Sequence, residues 1–137
     1  RSVSPFEVGT EFREALDQAD WECLEGRLHP ACEYFLRGET LRGAAAIIGS
    51  YREADTWAKS TFESVAYESL IMESDTTHCV VRFIDRITHA SETFVHISHQ
   101  RITIDDAGWV TRIEHIDFPG QREAAAAFNR RHGVSRE

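Results

Sequence analysis

The sequence predicts an α+β domain in which N-terminal helices pack on a strongly curved antiparallel sheet and cover an internal pocket. The chain has 137 residues, of which 42% are hydrophobic, so a single domain with a sizeable core is expected over residues 1–137. In the first half, apolar residues follow helical spacing. After Thr61 they alternate with polar residues, as in half-buried strands. Helices followed by consecutive strands are typical of the α+β class.

Three helices are predicted in the first half of the chain. The first carries an apolar stripe that starts at Phe12, and the second is capped by Asp20 and broken by His29-Pro30. A short strand over 32–36 follows. The third and longest helix covers 44–58, where apolar residues again recur at helical spacing.

The second half predicts four long strands separated by turn residues, over 61–73, 78–90, 93–104 and 109–117. Short turns between successive strands imply antiparallel hairpins. Pro119-Gly120 ends the last strand, and 122–131 is predicted as a closing helix.

Strand alternation distinguishes the two faces of the sheet, because an unpaired buried arginine is costly. One parity of the last three strands holds Arg82, Arg86, Arg101 and Arg112, together with valines and isoleucines. This face is assigned to the outside, and its mixed composition suits a homodimer contact. The other parity combines bulky apolar residues with Asp85, His89, His96, Ser98, Gln100, His115 and Asp117. So many ionisable groups on an inner face indicate a polar-lined cavity.

The candidate catalytic residues are His96, His115 and Asp117. Four-residue turns at 90–93 and 105–108 would place His96 opposite Asp117. A carboxylate that accepts a hydrogen bond from one imidazole nitrogen fixes the tautomer and raises the basicity of the other nitrogen, as a general base requires. The candidate substrate-binding residues would line the pocket or its mouth: Phe35, Tyr51, Trp57, Asp85, Ser98, Gln100 and Ile113.

Composition disfavours several classes of function. The 15 basic and 23 acidic residues give a net charge of -8, so nucleic acid is not an expected partner. No apolar run reaches the roughly 18 residues of a membrane span. No signal peptide is recognised, although the start at Arg1 without a methionine suggests that residues preceded it. Cys23, Cys32 and Cys79 lack paired spacing and are expected to be reduced thiols in a cytoplasmic protein.

Metal binding is a weaker alternative. His96 and His99 are three residues apart on a strand and therefore face opposite sides. A set formed by His96, His115 and Asp117 is geometrically conceivable. The prediction is nevertheless that the protein uses neither a metal nor another cofactor.

Several local motifs carry a resemblance to a known family. They are Asp20-Trp21 through Leu28-His29-Pro30, then Leu41-Arg42-Gly43, and then the acidic hairpin 105–108 followed by 109–113. With the order of elements, they resemble the nuclear transport factor 2-like superfamily, the cone-shaped α+β barrel of ketosteroid isomerases, scytalone dehydratase and SnoaL-like polyketide cyclases. The resemblance covers nearly the whole chain and concerns the fold more than the reaction.

The resemblance also implies which side chains face the cavity. It places Ile113, His115 and Asp117 inward, and SnoaL-like cyclases are similar in using an acidic residue on the last strand. Dehydratase-like relatives use histidines on the sheet, as His96 and His115 would be. Gln100 stands where isomerase-type relatives have an aspartate, which disfavours steroid isomerisation.

The sequence therefore predicts a domain that binds a small, largely apolar molecule. One hypothesis is a cofactor-independent isomerase, dehydratase or cyclase, in which His115 or His96 is the base and Asp117 orients it. Tyr51 and Gln100 would then hydrogen-bond a substrate carbonyl. The alternatives are non-catalytic ligand binding and a homodimeric association module of the same fold.

Overall fold

The computed structural model describes residues 3–135, so Arg1 lies outside the described part. The helices are α1 (Pro5–Asp17), α2 (Trp21–Glu25), α3 (Ala44–Thr61) and α4 (Gln121–Arg131). The strands are β1 (Leu28–Leu36), β2 (Glu39–Arg42), β3 (Ser64–Ser74), β4 (His78–His89), β5 (Glu92–Ile104) and β6 (Val110–Asp117). The predicted α+β class is confirmed, as are the long third helix, the four-strand meander and the closing helix.

The six strands form one curved sheet in the order β2-β1-β6-β5-β4-β3. The sheet does not close, because β2 and β3 are its two edges. Neighbouring strands are antiparallel except for β1 and β6, which run parallel. The expectation of a purely antiparallel sheet is wrong at this one pairing, because β6 returns beside β1 after α3 and three long strands. Bulges between Ile71 and Glu73 and between Thr103 and Ile104 bend the sheet further.

Helix α1 begins at Pro5, seven residues or about two turns earlier than the apolar stripe from Phe12 suggests. Ser4 and Glu7 form a capping box: the Ser4 hydroxyl accepts from the Glu7 amide, and the Glu7 carboxylate accepts from the Ser4 amide. Proline in the first turn suits this start, since its missing amide proton has no intrahelical partner there.

Strand β1 begins at Leu28, four residues earlier than predicted, and α2 is correspondingly short. His29-Pro30 therefore lies in a strand and does not end a helix. The pairing of β1 with β6 is irregular between Leu28 and Glu33, which is where a proline without an amide donor is tolerated. The β1–β2 hairpin turns at Arg37-Gly38, both with positive φ.

Helices α1 and α3 cover the inner face of the sheet. Helix α1 buries Val8, Gly9, Phe12 and Ala15. Gly9 lies so close to β4 that a Cβ atom there would be 2.4 Å from the Cys79 Sγ atom. This close approach places the C-terminal end of α1 above the sheet and the cavity described below.

Helix α4 docks on the far end of the sheet through Phe128, which is buried and stacked on Phe94 with ring centroids 5.6 Å apart. Arg131 and His132 both contact the Glu92 carboxylate at the start of β5.

Within residues 3–135, none of the helices combines the length and apolarity needed to span a bilayer.

Candidate active site

The inner-face assignment by alternation holds in the structure. Five of the predicted polar residues line one cavity of about 210 Å³: Asp85, His96, Ser98, Gln100 and His115. Helix residues complete its wall, among them Asp17 at the end of α1 and Tyr51 and Asp55 on α3. The cavity therefore lies between the helices and the centre of the curved sheet.

The predicted cross-strand pairs are displaced by two residues. Ala90 and Ser91 form a two-residue turn with φ values of 48° and 68°, so Asp85 pairs with His96. On the next strand Ser98 pairs with Asp117, so the expected pairing of His96 with Asp117 is wrong. A shift of two residues keeps every side chain on its face, which is why the face assignment survives the register error.

Asp117 belongs to a hydrogen-bond network at one side of the cavity. The Arg37 guanidinium donates to both of its carboxylate oxygens, at 2.7 and 2.8 Å. His115 Nε2 lies 3.0 Å from Asp117 Oδ1. Burial alone would raise the pKa of the Asp117 carboxyl, but the hydrogen bonds from Arg37 and His115 outweigh burial and lower it. Asp117 is therefore an ionised acceptor whose oxygens are already engaged.

The network continues into the cavity through Gln100. Burial lowers the pKa of His115 in spite of the neighbouring carboxylate, so the imidazole is neutral at pH 7. With its Nε2 proton directed to Asp117, its Nδ1 accepts from Gln100 Nε2 at 3.2 Å. Gln100 Oε1 then accepts from the Tyr51 hydroxyl at 2.7 Å. Both ring nitrogens of His115 thus have a hydrogen-bond partner within the network.

Tyr34 on β1 is a cavity residue that the sequence analysis missed. Its hydroxyl accepts from Gln100 Nε2 at 3.1 Å, and its ring stacks on Tyr51 at 5.4 Å. Burial raises the pKa of Tyr34 to about 12, so its hydroxyl keeps its proton at neutral pH. That proton can point to an acceptor in the cavity.

Phe35, the residue predicted for the cavity mouth, lies on the opposite face of the sheet. The Arg112 guanidinium lies over its ring, 4.1 Å from the centroid. The prediction is wrong because β1 pairs Tyr34 with the inward Ile113 and Phe35 with the outward Glu114. The parallel pairing with β6, which decides which alternate residues of β1 face the cavity, was not part of the prediction.

Asp85 is the carboxyl group that is most available in the cavity. Its Oδ2 atom is 3.9 Å from His96 Nδ1, beyond hydrogen-bond distance. About a third of its side chain, 34%, remains accessible, and the residue lines the cavity. Burial, helped by the negative charge of Asp17, raises its pKa from 3.8 to about 7. Burial lowers the pKa of His96, so that ring is neutral at the same pH.

The two other aspartates of the cavity each have a polar neighbour at one carboxylate oxygen. The Ser69 hydroxyl donates to Asp17 Oδ2 at 2.6 Å. Asp55 forms an ion pair with Lys59 at 3.0 Å. Both aspartates lie on helices next to apolar positions, a pattern that alternation in strands cannot reveal. Among the three, Asp85 combines access to the cavity with a pKa near neutrality.

The remaining predicted site residues are placed as follows. Ser98 is buried and lines the cavity. Ile113 is fully buried and belongs to the hydrophobic core beside Ile102. Trp57 lines a second cavity of about 250 Å³. Within the described range, 3–135, no group of three or more histidine, cysteine, aspartate or glutamate side chains has metal-site geometry.

Comparison with known proteins rests on structure. No protein-family model and no curated protein matches the sequence. A candidate polyketide cyclase from Xanthomonas campestris is similar with a TM-score of 0.67 and 16% identity, over 87% of this chain and 93% of that one. An LEH-like epoxide hydrolase from M. tuberculosis has a TM-score of 0.63 and 16% identity, over 93% and 96% of the two chains.

A third solved structure carries the name of the fold. It is a nuclear transport factor 2-like protein of unknown function from Exiguobacterium, similar with a TM-score of 0.64 and 12% identity, over 82% of this chain and 98% of that one. Helices packed on a curved, unclosed sheet agree with this likeness. The chain therefore has the nuclear transport factor 2-like fold that its motifs predict.

Proposed function

We propose that the protein binds a small carbonyl compound in the 210 Å³ cavity and moves a proton at the carbon next to the carbonyl, without a cofactor. The observation that carries the proposal is Asp85. It is a carboxyl group with its pKa raised to about 7, it lines the cavity, and its Oδ2 atom is 3.9 Å from His96 Nδ1, beyond hydrogen-bond distance. A base with a pKa near the working pH is the most effective at proton transfer.

The proposed reaction is an isomerisation or a related carbanion step. The Asp85 carboxylate takes the proton from the C–H bond, and the electron pair of that bond passes to the carbonyl oxygen. The Tyr34 hydroxyl donates a hydrogen bond to this oxygen as its negative charge develops. Where the substrate carries a carbon–carbon double bond next to this carbon, the electron pair returns from the oxygen through the conjugated system and Asp85 delivers the proton to the far end of that double bond. The double bond shifts by one position, and no atom or electron is gained or lost.

The hydrogen-bond network has a supporting role in this proposal. Arg37 and Asp117 fix the tautomer of His115, and His115 fixes the orientation of the Gln100 amide. Gln100 in turn positions the two tyrosine hydroxyls. The two histidines therefore have different roles in this proposal than in the sequence hypothesis. His115 positions the Gln100 amide, and the neutral ring of His96 lies next to the proposed base, Asp85, without adding a positive charge.

The names of two structural neighbours, a polyketide cyclase and an epoxide hydrolase, fit a cavity for small molecules. They do not specify the reaction. Ligand binding without turnover remains the second candidate function, because the same polar lining would recognise a carbonyl compound.

Deuterium exchange tests the proposal directly. Cyclohexanone in D₂O is incubated with the protein, and the loss of its α-proton signals is followed by ¹H NMR. The wild type should exceed the uncatalysed rate, and the rate should rise with pH up to about 7 as Asp85 ionises. Asp85→Asn should reduce exchange by at least ~100-fold. Asp106→Asn, the same change in an exposed turn, should leave it unchanged.

Two outcomes would contradict the mechanism. Exchange that survives in Asp85→Asn would show that another group is the base. Binding of cyclohexanone to the cavity without any exchange would favour the non-catalytic alternative.

We also propose that the protein is a homodimer formed through the outer sheet face. Leu70, Val95 and Ile116 are exposed there to about 40%, and Leu70 and Ile116 belong to one cross-strand row of that face. Half-exposed aliphatic side chains on a sheet face are typical of a contact surface.

The free cysteines of the described residues fit the proposed cytoplasmic location.

A further inference from the structure

A second cavity of about 250 Å³ adjoins the first one. Asp85, His96 and Tyr67 border both cavities. The proposed base, Asp85, therefore lies between the two cavities.

The lining of the second cavity differs from that of the first. It is bordered by the rings of Trp57, Phe62 and Phe94, with Trp57 and Phe62 edge to face at 5.5 Å. Asn129 of α4 supplies a polar group besides those shared with the first cavity. Aromatic walls of this kind suit a flat apolar ring.

Small residues on two helices create the space. Ala54 and Ala58 of α3 and Ala125 of α4 line the second cavity. A longer side chain at any of these positions would extend into it. The three alanines thus keep the volume open on the helical side, while Ile87 and Phe94 form the wall on the sheet side.

The volumes of the two cavities indicate whether each cavity holds its own ligand or one molecule fills both. Ligand cavities in proteins usually measure about 300–1,000 Å³. Each of these cavities is below that range alone, whereas both together fall within it. A molecule that places its reacting carbon beside Asp85 has room to extend in both directions.

We infer that one bound molecule occupies both cavities, with its carbonyl group in the first cavity, its reacting carbon beside Asp85 and an aromatic or cyclic apolar arm in the second. The inference rests on the proposed function and adds the shape and chemical class of the ligand. It also assigns Trp57, Phe62 and Phe94 to binding of the arm.

The three tryptophans provide a test that separates the two proposals. Trp21 lines the first cavity and Trp57 the second, whereas Trp109 contacts His29 and lines neither. Each indole N–H gives its own signal in a ¹H–¹⁵N NMR spectrum. Cyclohexanone and 4-phenylcyclohexanone serve as the short and the long probe.

The short probe should shift the Trp21 signal, and the long probe should shift the signals of both Trp21 and Trp57. The Trp109 signal should stay unchanged. A long probe that shifts Trp21 alone would overturn the joint occupation and leave the first cavity intact as a ligand site. Failure of both probes to shift Trp21 would instead overturn the proposed function.

Matched variants locate the arm. Ala125→Leu should fill the second cavity and weaken binding of 4-phenylcyclohexanone at least tenfold, with little effect on cyclohexanone. Ala126→Leu adds the same atoms at the adjacent, exposed position of α4 and should change neither. Ala58→Leu fills the cavity from α3 and should repeat the result if α4 tolerates the first change poorly. If Ala125→Leu and Ala58→Leu weaken binding of both probes equally, or of neither probe, the assignment of the second cavity to the apolar arm is contradicted.

Discussion

At the scale of single residues, the burial of Asp85 predicts a pH-dependent cost to folding. Its pKa rises from 3.8 to about 7 on folding, so the native state binds more protons than the unfolded chain between these values. The stability contributed by this group is complete below pH 4 and is lost as pH rises to about 7. Asp85→Asn should therefore stabilise the protein at pH 8 by ~1–2 kcal/mol, a value reduced for the accessible third of the side chain, and change little at pH 4.

Urea unfolding of Asp85→Asn and wild type at the two pH values measures this difference. Asp106→Asn is the matched control. Because the Asp106 carboxyl group is exposed, its removal should leave the stability unchanged at both pH values. A loss of stability in Asp85→Asn that is equal at pH 4 and pH 8 would contradict the proposed burial.

Arg37 is predicted to position the cavity network through Asp117. Arg37→Gln retains the stem and the positive φ of 48° but removes the two charge-assisted hydrogen bonds. The pKa of Asp117 should rise, and stability should fall by ~1 kcal/mol at pH 7. Because the wild-type pKa is lowered, this difference should shrink as pH falls and Asp117 takes up a proton in both proteins.

A readout specific to positioning is the tautomer of His115. ¹⁵N NMR should show the Nε2–H form in the wild type and a mixture in Arg37→Gln, with partial recovery in Arg37→Lys. An unchanged tautomer would mean that Gln100 alone orients the ring.

Much of the site was predictable from the sequence because alternation depends on local geometry. An error in strand register of two residues, or of any even number, leaves Asp85, His96 and Gln100 on the inner face. Tyr34 was missed because the pairing of β1 with β6, which decides which side chains of β1 face inward, joins segments far apart in sequence. Arg37 lies in a turn, and nothing in its local sequence indicates a partner 80 residues away.

At the scale of elements, the packing of α1 on β4 depends on Gly9. Gly9→Ala would place a methyl group 2.4 Å from Cys79 Sγ and 3.2 Å from Ile71 Cδ1. We expect a loss of ~1–3 kcal/mol from overpacking, in spite of the better helix propensity of alanine. Urea unfolding measures the change.

Two further variants test this cause. Gly49→Ala adds the same methyl group in α3, where nothing lies within 4 Å, and should stabilise by ~0.5–1 kcal/mol. In a Cys79→Ala background the penalty of Gly9→Ala should shrink, because the clashing sulfur is gone. An unaltered penalty there would locate the strain elsewhere.

The turn at Ala90-Ser91 sets the register that brings Asp85 opposite His96. Both residues have positive φ without being glycine, a strained choice for a two-residue hairpin turn. The double change Ala90→Asn and Ser91→Gly should raise stability by ~1 kcal/mol. Ala107→Gly, at a position without positive φ, should lower it by ~0.5–1 kcal/mol. Equal effects of both changes in urea unfolding would contradict this interpretation of the turn.

Elements were predicted more reliably than their pairing. Periodicity indicates a helix or a strand over its own residues, so the meander and the long third helix were expected. Pairing depends on turn length and on bulges that involve one residue, such as the one between Thr103 and Ile104. The parallel contact of β1 with β6 joins segments far apart in sequence, which no local pattern encodes.

At the scale of the whole molecule, the curved sheet has one covered face and one open face. Helices α1, α3 and α4 lie over the concave side and enclose the two cavities. On the open side, arginines are paired or stacked, as in the ion pair of Arg101 with Glu114 and the contact of Arg82 with the Phe118 ring, while aliphatic side chains remain exposed. The proposed site thus lies on the covered face, which leaves the open face for the proposed contact with a second copy.

The proposed dimer predicts that charge on the open face separates the subunits. Val95→Lys combined with Ile116→Lys places two cations in the exposed aliphatic patch, where burial in an interface would be costly. Sedimentation velocity should show a dimer for the wild type and a monomer for this variant. Phe6→Lys changes the most exposed large hydrophobic residue of the described chain, 56% accessible on α1 and away from the sheet, and should remain a dimer. A monomeric wild type would rule out the interface, and a dimer that persists in the double variant would place it on another surface.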